Sequence, residues 1–121
     1  MPTLGNGKIC YLEIPATDLQ ASAAFYAEVF GWRLRERTDG AISFDDGVDE
    51  VSGTWVLGRP PSREAGIVIS IMVDDAVTTV AKITAAGGTI LRPLDPADAE
   101  IIAWFSDPGG NLMGIYQEPT G

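Results

Sequence analysis

Along residues 8–14, KICYLEI, apolar Cys10, Leu12 and Ile14 alternate with Ile9, Tyr11 and Glu13, the period-two pattern of a strand with one buried face. Pro15 is expected to stop it. Thr17-Asp18-Leu19-Gln20 then has capping-box spacing, in which Thr17 accepts from a helical N–H and Gln20 reaches back. A helix is predicted from near Asp18, since Leu19, Ala23, Tyr26 and Phe30 recur every three to four positions and Gly31 supplies a stop. Residues 32–37, 41–46 and 51–58 read as three short strands, separated by Asp39-Gly40 and by the acidic turn around Gly47. The first half is therefore β-α-β-β-β.

Residues 59–66, with Pro60-Pro61 and no periodicity, read as an exposed linker. The pattern restarts with Ile67, Ile69, Ile71 and Val73 on one face of a strand and Val68, Ser70 and Met72 on the other. Asp74-Asp75 caps a second helix whose Val77, Val80 and Ile83/Thr84 line a face until Gly87-Gly88 ends it. Residues 89–93, 101–106 and 111–117 supply three more strands, the last two joined by the turn Asp107-Pro108-Gly109-Gly110. The halves match in letters as well: LEIPATD (12–18) lies over IMVDDAV (71–77), and GWRLRE (31–36) over GTILRP (88–93), at offsets of 59 and 57. A repeat of this length suits a duplicated module rather than a solenoid. Each half buries too little to stand alone, so the two sheets are expected to meet edge to edge or across a groove.

Composition narrows the chemistry. In 121 residues, 8 Lys+Arg stand against 17 Asp+Glu, a net charge of −9 that disfavours nucleic acid and anionic lipid as partners. No apolar run approaches the ~20 residues of a membrane-spanning helix. The N-terminal residues MPTLGNGK have neither part of a signal peptide, and Cys10 is the one cysteine, so the expected location is cytoplasmic. The absence of histidine leaves carboxylates, Tyr, Lys or that thiol for any acid–base work.

The repeat, FYAEVFGW (25–32), VDDAVTTVAKITAAGG (73–88) and the closing DPGGNLMGIYQ (107–117) resemble the vicinal oxygen chelate superfamily, which includes glyoxalase I, bleomycin-resistance proteins, fosfomycin-resistance enzymes and extradiol dioxygenases. The resemblance implies an α+β fold of two β-α-β-β-β modules (8–58 and 67–118, joined by 59–66) forming a cupped, half-barrel mixed sheet in a single domain. A second subunit often completes the cup. In the family's metalloenzymes, four concave positions ligate a divalent ion. Matched motif by motif they fall here on Tyr11, Ser70, Gly114 and, within one residue, Thr54; none is a histidine or carboxylate, so no metal and no cofactor are expected.

Glu13 is the carboxylate on the first strand's concave face. It is a candidate general base or contact for a cationic ligand, or else half exposed at a strand end or paired with an arginine such as Arg33 or Arg35. Tyr11 offers a phenol to the cup or serves as packing. Strand parity from Gly114 puts Leu112 and Tyr116 toward the cup and Met113 and Ile115 toward the helix, whereas Trp55 and Trp104 are left unassigned by parity. Gly114 either makes room for a ligand or permits a close approach. Met72 completes the candidate ligand-binding set of Tyr11, Glu13, Thr54, Ser70, Met72, Trp104, Leu112, Gly114 and Tyr116. Trp32 reads as a packing anchor, residues 45–50 as a solvated hairpin, and Cys10 as a buried, inert thiol.

The resulting expectation is a metal-independent small-molecule-binding protein of the glyoxalase/bleomycin-resistance type, a homodimer holding an amphipathic or cationic ligand in its cups. The alternative is a glyoxalase-like lyase or isomerase, using Glu13 and Tyr11 for proton transfer or a divalent metal at other positions.

Overall fold

The computed structural model describes residues 2–119. Its elements run β1 (Tyr11–Ala16), α1 (Leu19–Phe30), β2 (Arg33–Glu36), β3 (Ile42–Asp45), β4 (Ser52–Leu57), β5 (Ser70–Met72), α2 (Ala76–Ala85), β6 (Thr89–Arg92), β7 (Ile101–Ser106) and β8 (Leu112–Gln117). They form two mixed four-stranded sheets, ordered β1-β4-β3-β2 and β5-β8-β7-β6, each with a parallel first pair and antiparallel neighbours after it. The β-α-β-β-β repeat is present twice, and the sheets do not close on each other.

Several boundaries differ from the pattern-based expectation for physical reasons. Pro15 lies inside β1, paired with Val56: β1 is an edge strand bonded to β4 on one side only, where a missing N–H is tolerated. Asp18, not Thr17, caps α1, its carboxylate accepting from the Ala21 N–H at 3.1 Å. Gly31 ends α1 in the left-handed conformation at φ 71°. Asp75 caps α2 in the same way as Asp18 caps α1, accepting from the Thr78 N–H at 3.1 Å. The buried face of α2 is Ala76, Thr79 and Ile83, while Val77, one position round the helix from Ala76, is 72% exposed. β5 is confined to Ser70–Met72 because the Leu112 N–H, which would continue the ladder, donates to the linker carbonyl of Ser62 at 2.7 Å. Ile67 is consequently 88% exposed.

The two modules meet through their helix sides rather than edge to edge. One apolar core joins Ile14, Phe25, Tyr26, Trp32, Phe44 and Trp55 of the first half with Ile83, Phe105, Met113 and Ile115 of the second. Trp32 is the anchor expected of it, stacked between Tyr26 at 4.6 Å and Phe44 at 4.4 Å between ring centres. A polar tie crosses the same junction: the Tyr26 phenol donates to buried Asp107 at 2.7 Å, and Asn111 Nδ2 donates to the Pro15 carbonyl at 2.7 Å and to Asp107. The sheet faces opposite the helices are turned away from this core.

Candidate functional site

The outer face of the first sheet is polar. Register aligns Glu13, Thr54, Ser43 and Arg35 in one row and Tyr11, Ser52, Asp45 and Arg33 in the next. Glu13 pairs with Arg59 at 2.9 Å, and not with Arg33 or Arg35. Arg35 pairs with Asp45 at 3.0 Å and Arg33 with Asp49. The Ser52 hydroxyl, donating to Asp45 at 2.7 Å, and then Arg35 and Arg33 hold the Asp45 carboxyl below its ordinary pKa. Thr54 commits its hydroxyl to the Ile42 carbonyl at 2.7 Å. Tyr11 is 46% exposed, a phenol with an apolar body standing in solvent.

The second sheet's outer face is apolar and aromatic. Ser70, Gly114, Trp104 and Arg92 form one row, and Met72, Tyr116 and Ile102 the next. This settles the directions left open by parity. Trp104 lies on the outer face with the Arg92 guanidinium 5.6 Å from its ring centre, whereas Trp55 is buried in the core against Phe44. Arg92 in turn pairs with Asp98 at 3.2 Å. Tyr116 donates to the Glu118 carboxylate at 2.9 Å, which raises the phenol's pKa. Met72 is 66% exposed, and Leu112 is buried.

Gly114 does not leave room for a ligand. A Cβ there would stand 2.8 Å from Ser70 Oγ, 3.3 Å from the Trp104 ring and 3.4 Å from Val68, so neighbouring side chains already fill the space. The helix caps also fix the register of the repeat. Asp18 and Asp75 are 57 residues apart, and Glu13 pairs with Thr54 as Ser70 pairs with Gly114. The offset of 57 therefore holds for the strand–helix unit, and the counterpart of Tyr11 is Val68 rather than Ser70.

Whichever of those two is taken, the four positions offer no imidazole and no carboxylate. They do not fit a divalent ion, which needs at least three such ligands from the protein. Among the described residues, no three His, Cys, Asp or Glu side chains are gathered to hold a metal. Cys10, expected to be buried, is exposed: the helix-side face of β1 is covered progressively from Leu12 to Ile14 and Ala16, and Cys10 lies before that cover begins.

The candidate residues thus form two sets on two sheets. Tyr11, Glu13 and Thr54 share one outer face and Ser70, Met72, Trp104, Gly114 and Tyr116 the other; Glu13 and Leu112 line a common crevice of about 80 Å³. Two participants escaped sequence reasoning. Arg59 was assigned to the linker, and Arg92 becomes visible only once Trp104 is placed across from it on β7.

The model of the Glyoxalase/Bleomycin resistance protein/Dioxygenase superfamily matches residues 8–115. The chain belongs to that superfamily. A probable lactoylglutathione lyase from Vibrio parahaemolyticus is 30% identical over 128 residues, covering 94% of this chain and 93% of the relative. Among solved structures, the antibiotic-binding protein TnmS3 of a Streptomyces species superposes with a TM-score of 0.73 at 21% identity, covering 97% of this chain and 100% of that one. The fosfomycin resistance protein FosX of Listeria monocytogenes gives 0.77 at 14% identity, covering 93% and 92%. At those identities the two structures show a shared fold. The fold expected of the superfamily is the one observed, and among the described residues no helix is long and apolar enough to cross a membrane.

Proposed function

We propose that this superfamily member binds a small amphipathic molecule without a metal, in cups that a homodimer builds by setting the polar outer face of one chain's first sheet opposite the apolar outer face of its partner's second. It does so in the cytoplasm. The observation that carries the reading is the contrast between the faces. Glu13, Asp45, Arg33 and Arg35 suit the charged or hydrogen-bonding end of a ligand, while Met72, Ile102, Trp104 and Tyr116 suit its apolar body. What supports a metal-free site is that Tyr11, Thr54, Val68 and Gly114 supply neither an imidazole nor a carboxylate. The acidic character of the chain favours a cation over an anion as the polar end.

The 30% identity to a probable lactoylglutathione lyase favours a second reading, a lyase or isomerase. Glu13 is poorly suited to proton abstraction there, because its carboxylate is half exposed and already engaged by Arg59. Thermal shift on chelator-treated protein separates the readings, comparing Ni²⁺, Zn²⁺ and Mn²⁺ with bleomycin as a cationic probe. Saturation at about 100 Kd stabilises by ~2.7 kcal/mol, a shift of several degrees in Tm. The proposal predicts a shift with the drug and none with the metals. A metal shift, or turnover of a hemithioacetal substrate, overturns it in favour of the lyase. Sedimentation at micromolar concentration tests the dimer, and a monomer there removes the shared cup.

A further inference from the structure

A roomier crevice than the one shared by Glu13 and Leu112 lies elsewhere in the molecule. About 600 Å³ opens between the modules on their helix side, walled by Leu12, Phe30, Trp32, Phe44, Ile69 and Ile71. Its position has a simple cause. Phe25 and Phe105 bring the modules together at one end of the junction, and Gly88 lets Ile83 and Phe25 close against it. At the other end, β1 and β5 are not hydrogen-bonded to each other, so their helix-side apolar residues face a gap. A void of this size beside buried aromatic rings forfeits packing, while its volume lies within the range of small-molecule sites.

Charge at the rim is one-sided. Asp46, Asp74 and Asp75 stand there with Lys82 as the single cation. The ion pairs among the described residues are Lys8–Glu50, Arg33–Asp49, Arg35–Asp45, Arg59–Glu13 and Arg92–Asp98, and none neutralises the rim. Asp46 and Asp75 each spend one oxygen on a backbone N–H, of Glu50 and Thr78, and keep the other. An apolar chamber with an acidic mouth complements a molecule with a hydrocarbon body and a cationic end.

We infer that this helix-side crevice is a second binding site for an aliphatic ammonium amphiphile whose apolar body lies among Leu12, Phe30, Ile69 and Ile71, at the exposed edge of Trp32, and whose cation meets Asp46 and Asp74. The crevice shares Ser70 and Met72 with the outer face of the second sheet, but none of Glu13, Asp45, Arg33, Arg35, Ile102, Trp104 or Tyr116, so it is tested separately from the proposed cup.

Trp32 reports on it directly. Titration with submicellar decyltrimethylammonium should change tryptophan emission in the native protein and in Trp104→Phe, and the change should be lost in Trp32→Phe. Calorimetry should give decyl sulfate at least tenfold weaker binding than the ammonium. Asp46→Asn with Asp74→Asn keeps shape and the Glu50 contact. This pair should weaken the ammonium by about tenfold, as two rim charges within the ordinary range of exposed-pair energies imply, and leave octyl glucoside within twofold. No binding by the ammonium, a signal lost in Trp104→Phe instead of Trp32→Phe, or equal affinity for decyl sulfate overturns the inference. Should Trp32→Phe fail to fold, the aspartate pair alone decides.

Discussion

Tyr26 on α1 donates its phenol hydrogen to Asp107 in the β7–β8 turn at 2.7 Å, across 81 positions of sequence, with both residues buried. Burial first, and then the charge and hydrogen bond of Asp107, hold the Tyr26 pKa well above its ordinary value. The folded state therefore keeps a proton that the unfolded chain releases near pH 10. The sign follows: this contribution is complete below about pH 10 and is lost as pH rises toward the folded value. Urea midpoints at pH 8 and pH 10.5 should show a decline in the native protein that is smaller in Tyr26→Phe. Tyr26→Phe should also cost about 1–3 kcal/mol at pH 8 by removing a donor from a buried carboxylate. An unchanged alkaline decline would show that other groups cause it.

Asn111 ties β1 to the same turn, through Pro15 and Asp107. Its Oδ1 also accepts from the Ser62 N–H at 3.0 Å, which holds the linker against β8. Asn111→Ala leaves several buried groups unpaired and should lower stability by roughly 2–3 kcal/mol in urea unfolding. A loss below ~0.5 kcal/mol would mean that the tie between modules is energetically idle.

Gly114 is enclosed by Ser70, Trp104 and Val68, so Gly114→Ala is an overpacking change expected to cost about 1–3 kcal/mol. Combining it with Ser70→Gly removes the nearest obstructing atom and should recover part of that loss in a double-mutant cycle. Full additivity of the two substitutions would contradict the enclosure.

At acid pH the relevant carboxylate is Asp45, whose folded pKa is depressed by Ser52 and then by Arg35. A depressed carboxylate contributes stability above its unfolded pKa of about 3.9 and loses it as pH falls through the folded value. Asp45→Asn should flatten the part of the acid-unfolding curve below about pH 4 while leaving the alkaline decline alone.

Most of the architecture was legible because its signals are local. The alternation in residues 8–14, the three-to-four spacing through Phe30, Gly31 and the 107–110 turn each declare an element, and their recurrence declares the duplication. What was not legible depends on partners distant in sequence. Cys10 fits the alternation that Leu12 and Ile14 follow, but the core covers only the far end of that strand. Ile67 fits the apolar face of β5, but Ser62 takes the neighbouring N–H. Val77 fits the three-to-four spacing with Val80, but the stripe that meets the core runs through Ala76, Thr79 and Ile83. For the candidate site, strand parity puts Tyr116 on the same face as Gly114, yet the pairing of Glu13 with Arg59 spans 46 positions and no periodicity encodes it. The helix-side crevice arises from how two folded modules sit together, which composition does not record.

The exposure of Cys10 has a practical side. With one thiol per chain, and that one in solvent, maleimide dyes or spin labels attach at a single known point without any engineered cysteine. The same chemistry links two chains through a disulfide once oxidant is present, so a doubled mass on a non-reducing gel reports air exposure rather than assembly. Hydrodynamic measurements on this protein belong in reductant, or on Cys10→Ser.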